Sequence, residues 1–156
     1  KEKRKVEFLA TRIALKGLFS KTLELNYHKS GKPYIKNINH ISISHSSNYI
    51  AISFGNDNIG LDIEEPKQNM LKIMPRILSK KEYSIFNKYM SINLACKIWG
   101  AKEAVLKHIG NKNLNIRDDI QVAQILVGRV KYLTLSFIIH FESVKKMILT
   151  YVIQVK

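Results

Sequence analysis

Apolar and polar positions recur along this chain with two periods, and the switches between them mark its elements. Residues 1–20 place Val6, Leu9, Ala10, Ile13, Leu15 and Leu18 at helical spacing, with Lys and Arg between them. That predicts a basic amphipathic helix. Ser30-Gly31-Lys32-Pro33-Tyr34 predicts a turn, because Gly31 tolerates positive φ and Pro33 pushes Lys32 into an extended conformation. From His40 the period becomes two. Ile41 and Ile43 alternate with Ser42 and Ser44, Ser46-Ser47-Asn48 supplies a turn, and Tyr49 to Phe54 makes a second strand. After the Gly55-Asn56-Asp57-Asn58 turn a third strand puts Ile59, Leu61 and Ile63 on one face and Gly60, Asp62 and Glu64 on the other.

The helical period then returns. Pro66 to Met74 reads as a loop or short helical piece with Met70, Leu71, Ile73 and Met74 as its apolar positions. Ser79-Lys80-Lys81-Glu82 is a capping box that opens a helix over Tyr83, Ile85, Phe86 and Tyr89. Ser91 caps a longer helix that ends at His108 or Ile109, with Gly110 as its stop. Beyond a polar loop, strands are predicted over 120–127, 130–141 and 147–155, joined at Gly128-Arg129 and at 142–146 as an antiparallel meander. The pattern as a whole predicts an α+β fold.

Length and composition narrow this further. A chain of 156 residues makes one medium domain or two small halves. No apolar run reaches the roughly 20 residues that a membrane span needs, and Lys1 to Lys5 is too charged for the apolar stretch of a signal peptide. The single cysteine, Cys96, excludes an internal disulfide and fits a reducing cytoplasm. Lys+Arg 26 against Asp+Glu 12 gives a net charge of +14. That surface attracts polyanions: nucleic acid, anionic membrane, phosphorylated ligands or acidic proteins.

Against so few acids, three carboxylates stand out. Asp62 and Glu64 share one strand face and repel each other unless a cation lies between them. An all-oxygen pair points to a hard metal, Mg²⁺ or Mn²⁺. On the long helix Trp99, Glu103 and Leu106 fall on one stripe, with Lys107 one turn beyond Glu103. A carboxylate on an apolar stripe is out of place if the stripe only packs. Asp62, Glu64 and Glu103 with Lys102 and Lys107 beside them describe a site for a metal-bound pyrophosphate. Ser44 and His45, at a strand end, could bind an oxyanion. Arg12 is either the wet face of its helix or a phosphate contact. Cys96 reads as a small buried residue.

Taken together, these segments resemble the 4′-phosphopantetheinyl transferases. Ile59-Gly60-Leu61-Asp62-Ile63-Glu64 resembles the family's Gly-x-Asp segment, and Trp99-Gly100-Ala101-Lys102-Glu103-Ala104-Val105-Leu106-Lys107 its Trp-x-x-Lys-Glu-x-x-x-Lys helix. Gly31-Lys32-Pro33, Ile43-Ser44-His45-Ser46, Arg76 to Glu82 and Leu9-Ala10-Thr11-Arg12 look like its Gly-Lys-Pro, Ser-His-Ser, Arg-x-x-Ser-x-x-Glu and basic-helix elements, in the same order. The two elements ahead of Gly-x-Asp point to the larger, pseudodimeric, surfactin-synthetase-activating type. The resemblance implies two similar α+β halves, about 1–57 and 58–156, related by a pseudo-twofold axis with the site between them. It implies coenzyme A and an acidic apo acyl or peptidyl carrier protein as substrates, and a cytoplasmic monomer that uses neither nucleic acid nor membrane. Asp62, Glu64 and Glu103 would ligate Mg²⁺ (or Mn²⁺), and Asp62, Glu103 and Lys107 would carry the chemistry. Glu103, directly or through a bound water, would accept the carrier serine's proton, and Lys107 would stabilise or protonate the departing phosphate. Arg12, Lys32, Pro33, Ser44, His45, Lys102 and Lys107 would bind coenzyme A. Met70, Leu71, Ile73, Met74 and residues 76–82 would meet the carrier. The rival reading is a basic nucleic-acid-binding domain without catalysis.

Overall fold

The computed structural model describes residues 2–19, 23–111, 113–122, 124–125 and 128–155. In chain order they form α1 (Glu2–Phe19), β1 (Leu25–Tyr27), β2 (Pro33–Ile35), β3 (His40–Ser46), β4 (Tyr49–Gly55), β5 (Gly60–Glu64), α2 (Asn69–Ile77), α3 (Lys80–Lys88), α4 (Ile92–Ile109), β6 (Ile120–Gln121), β7 (Arg129–Tyr132), β8 (Leu135–Val144) and β9 (Met147–Gln154). The architecture is α+β, with antiparallel pairing throughout. Two hairpins, β1-β2 and β3-β4, stand beside a five-stranded sheet of order β5-β9-β8-β7-β6.

Helix α4 is the spine. Ser91 Oγ accepts from Leu94 N at its start, and Gly110, with φ 71°, closes it in the left-handed region. Its Ile98, Ala101 and Val105 pack on Phe137, Ile139 and Val152 of the sheet, with Met70 and Met74 of α2 and Phe86 of α3 closing the same core. Two glycines set how near the helix comes. A Cβ on Gly60 would collide with the Ala104 carbonyl, and one on Gly100 would lie 2.6 Å from Thr150 Oγ1. A smaller core of Leu15, Leu25, Ile35 and Ile41 lies under α1.

The hairpin β3-β4 and both predicted helix caps are where the pattern put them. Other expectations need correction. Helix α1 buries only Thr11 and Leu15, while Val6, Leu9, Ile13 and Leu18 are exposed. The small core has room for one line of that helix, not a full face. The short helical piece expected over Pro66 to Met74 is there as the start of α2, but Met70 and Met74 point into the main core, so they cannot form a carrier-docking surface. The strand expected over 120–127 pairs only at Ile120–Gln121; residues 123, 126 and 127 lie outside the described residues. The strand expected over 130–141 breaks at a turn where Leu133 takes φ 51°. The β1-β2 pair was unforeseen, since three-residue strands carry too short a pattern. The two halves differ in their elements, and the expected twofold relation between them is not visible in this set.

Candidate active site

Strand β3 lies alongside β5 and faces it with three buried serines. Ser42 Oγ accepts from Leu61 N at 3.2 Å, Ser44 Oγ donates to Asp62 Oδ1 at 2.7 Å, and Ser46 Oγ donates to Glu64 Oε2 at 2.7 Å. The period-two alternation that packs Ile41 thus aims hydroxyls at the acids of the next strand. Helix α4 runs antiparallel to β5 and completes the cluster. Trp99 Nε1 donates to Glu64 Oε1 at 3.3 Å, and Lys107 Nζ donates to both Asp62 Oδ1 and Ser44 Oγ, at 2.7 and 2.8 Å. Glu103 sits between Trp99 and Lys107 on the same stripe. Asp62, Glu64, Glu103 and Lys107 are therefore one cluster, as the spacing predicts.

Its electrostatics are unbalanced. Burial, the negative charge of Asp62 and that of Glu64 all raise the Glu103 carboxyl, and Lys107 opposes them. Burial is also the main cause that raises Glu64, with Asp62 adding to it and the Ser46 and Trp99 hydrogen bonds working the other way. Asp62 is buried, and its Oδ2 has no hydrogen-bond partner among the described residues. Three acids outnumber the one lysine beside them, and carboxylate oxygens are the donors that a hard divalent cation takes. Among the described residues no three His, Cys, Asp or Glu side chains close to metal-holding distance, and Lys107 and Ser44 already hold Asp62 Oδ1.

Beside the cluster, at the C-terminal end of α4, a cleft of about 360 Å³ is lined by Gly31, Lys32, Pro33, Ile43, His45, Leu106 and Lys107 among others. Lys32, Pro33 and His45 thus line one cleft. The ammonium of Lys32 is committed, however. It donates to His108 O at 2.8 Å and Asn58 Oδ1 at 3.1 Å, at the negative end of α4. His45 Nε2 lies 2.7 Å from Thr11 Oγ1, whose hydroxyl donates to Glu7 O. That arrangement makes Nε2 the donor. Burial holds the imidazole below its ordinary value, so it is neutral around pH 7.

Three assignments change. Ser44 is 5% exposed and belongs to the acid cluster, not to the cleft wall. Arg12 stacks on Phe8, its guanidinium carbon 3.3 Å from the ring centroid, and borders a different recess with Leu9 and Lys16. Lys102 is fully buried on the far side of α4. Its ammonium donates to the carbonyls of Ile116 and Ile120 and pairs with Glu82 Oε2 at 3.5 Å, so it braces the fold and cannot reach a ligand in the cleft. Cys96 is buried against the Glu64 carbonyl, with its thiol pushed up to about 12; it is inert. Sequence reasoning missed the parts of Ser46 and the Trp99 indole. The Ser42-Ser44-Ser46 alternation was the available signal for the first.

Residues 58–154 match the sequence profile of the 4′-phosphopantetheinyl transferase superfamily, a span that holds every member of the acid cluster except Ser44 and Ser46. Among curated proteins the chain is 35% identical over 85 residues to 4′-phosphopantetheinyl transferase Sfp of Bacillus subtilis (strain 168), covering 51% of this chain and 38% of that one. It is 30% identical over 99 residues to a second B. subtilis 4′-phosphopantetheinyl transferase (60% and 44%). It is 28% identical over 83 residues to the transferase gsp of Aneurinibacillus migulanus (51% and 35%). The matched stretch thus spans about two fifths of the length of these relatives.

Proposed function

The chain belongs to the 4′-phosphopantetheinyl transferase superfamily, and we propose that it moves the 4′-phosphopantetheine arm of coenzyme A onto a serine of an apo acyl or peptidyl carrier protein, releasing adenosine 3′,5′-bisphosphate. The observation that carries this reading is the cluster of Asp62, Glu64, Glu103 and Lys107 beside an open cleft, inside the span that matches the family. Coenzyme A enters the cleft along Gly31-Lys32-Pro33 and His45, with its pyrophosphate toward Lys107. Asp62, Glu64 and Glu103 are the residues that would hold Mg²⁺ (or Mn²⁺), whose charge neutralises the pyrophosphate. The orphaned Oδ2 of Asp62 supports that role.

The carrier serine oxygen forms a bond to the phosphorus that bears the pantetheine. The bond from that phosphorus to the bridging oxygen breaks. Glu103, directly or through a bound water, accepts the serine proton. Lys107 neutralises the departing 3′,5′-bisphosphate. Ser44 and Ser46 hold Asp62 and Glu64 in place. The protein acts as a cytoplasmic monomer in this proposal. Nothing in the site or in the comparisons supports the nucleic-acid-binding alternative.

The test is direct. The protein is incubated with coenzyme A, Mg²⁺ and apo carriers from fatty acid and peptide synthesis, and each carrier is weighed by mass spectrometry. One added phosphopantetheine arm on the serine is the expected result. No mass gain on any carrier, with coenzyme A binding intact, would sink the transferase reading.

A further inference from the structure

Three turns meet at the Glu64 end of β5, away from the cleft. The β3-β4 turn brings Ser47, the exit of β5 brings Glu65 and Lys67, and the β8-β9 turn brings Lys145 and Lys146. The registers place them together: Ser46 pairs Tyr49, Glu64 pairs Ile148, and Val144 pairs Met147. Glu65 is the hub. Its Oε2 accepts from Ser47 Oγ at 2.5 Å and from Lys67 Nζ at 2.8 Å, and its Oε1 from Lys146 Nζ at 2.6 Å. Those contacts, Lys146 first, hold its carboxyl down at about 2. Two lysines, Lys67 and Lys146, therefore hold one charged acid, and Lys145 stands next to Lys146 in the same turn. A recess of about 320 Å³ opens there, lined by Ser47, Asn48, Tyr49, Lys145 and Lys146.

Position gives this patch its meaning. Along β5 the order is cleft, Lys107 with Asp62, Glu64 with Ser46, and then the Glu65 patch. A ligand in the cleft occupies one side of the acid cluster, so a second substrate must approach Glu103 and Glu64 from elsewhere. The side beyond Glu64 is rimmed by the lysines. Glu65 fixes two ammonium groups without exhausting their three donors each, and the patch keeps a net charge near +2.

We propose that Lys145, Lys146 and Lys67 form a docking patch for the acidic surface of the acceptor protein, engaging its carboxylates beside the serine that enters the site. This rests on the transferase reading above and names residues for its second substrate. The patch acts on encounter and orientation through charge complementarity, and takes no part in the chemistry.

The test pairs direct binding with kinetics on the whole chain. Binding of an acidic apo carrier is followed by fluorescence anisotropy at several salt concentrations, without coenzyme A, for the wild type and for Lys145→Glu/Lys146→Glu. The milder Lys145→Gln/Lys146→Gln and the charge-preserving Lys145→Arg/Lys146→Arg are measured beside it, with thermal unfolding as the control for folding. The reversal is expected to weaken carrier binding at least tenfold, flatten its salt dependence and raise the carrier KM to match. The coenzyme A KM and kcat should hold, and the Gln pair should lie between the reversal and the Arg pair. Wild-type binding that all three variants share, or a loss that appears in the coenzyme A KM, would overturn the patch and leave the transferase reading standing. Salt-sensitive wild-type binding that the variants lose, without transfer to any carrier, would keep the patch and sink the transferase reading. A wild type that binds no acidic carrier overturns the patch outright.

Discussion

Glu103 carries a cost in the folded state that can be measured apart from any activity. Burial raises its carboxyl, and the charges of Asp62 and Glu64 raise it further against Lys107. A carboxyl with a higher pKa folded than unfolded binds more protons in the folded state. Its favourable contribution is then complete below the unfolded pKa and is lost as pH rises through the folded one. Above that window the ionised Glu103 works against folding. Glu103→Gln in a metal-free chain should therefore raise the thermal midpoint at about pH 8, with the gain shrinking as pH falls. Transfer should fall by roughly a hundredfold or more. Differential scanning calorimetry with a chelator checks the first outcome; a variant less stable than wild type at every pH would refute it. Added Mg²⁺ should raise the wild-type midpoint and leave the variant's nearly unchanged. At this scale the sequence was readable for Glu103, because an acid on a Trp–Leu stripe is conspicuous. It was misleading for Lys102, one residue earlier. A 100° step round the helix puts Lys102 with Ile98 and Val105, both buried. That stripe was visible, but the acid that receives the lysine, Glu82, lies on another helix, and no local pattern announces the pairing.

Helix α4 presents two chemistries on opposite sides, and its seat decides both. Trp99, Glu103 and Lys107 face the acid cluster. Lys102 reaches back to the carbonyls of Ile116 and Ile120 and to Glu82, which also caps α3 through Ser79 and accepts from Val122 N. Burial lowers the Lys102 amine, and Glu82 pulls it back up. Lys102→Met removes the cation and leaves Glu82 buried without its partner, a change that costs about 3–5 kcal/mol. Urea unfolding should show a midpoint well below wild type, while the coenzyme A KM of the folded protein stays near its wild-type value. A raised KM in a Lys102→Met protein of unchanged stability would restore this lysine to the ligand site. Elements with a local punctuation mark, such as the Ser79 box, the Ser91 cap and Gly110, were legible from sequence. Those set by tertiary partners were not. The exposed Val6, Leu9 and Ile13 of α1 read as a packing face because a pattern records which residues could pack, not how much core awaits them.

The whole molecule is two cores of unequal size joined by polar contacts. Among the described residues, eighteen buried ones form the core under α4, and four form the one under α1. Between them runs the serine seam, where Ser42, Ser44, Ser46 and Ser47 meet Leu61 N, Asp62, Glu64 and Glu65 in turn. A hydrogen bond adds only about 1 kcal/mol net, so the smaller core depends on this seam and on its few apolar contacts. The fold class and the hairpin were visible in the sequence; the imbalance was not, because it is a property of summed burial. It has a dynamic consequence. Local opening follows the density of buried apolar contacts, so amides of β1-β2 and α1 should exchange with solvent faster than those of α4 and β9. The acids of the site belong to the large core and the hydroxyls that hold them to the small one, so a ligand that gathers the acids ties the two together. Coenzyme A with Mg²⁺ should slow exchange in β3-β4 by more than in β8-β9. Hydrogen exchange followed by mass spectrometry reads both effects segment by segment. Uniform protection along the free chain, or a ligand effect confined to α4 and β9, would show that the seam does not couple the halves and that the site is complete within residues 58–154.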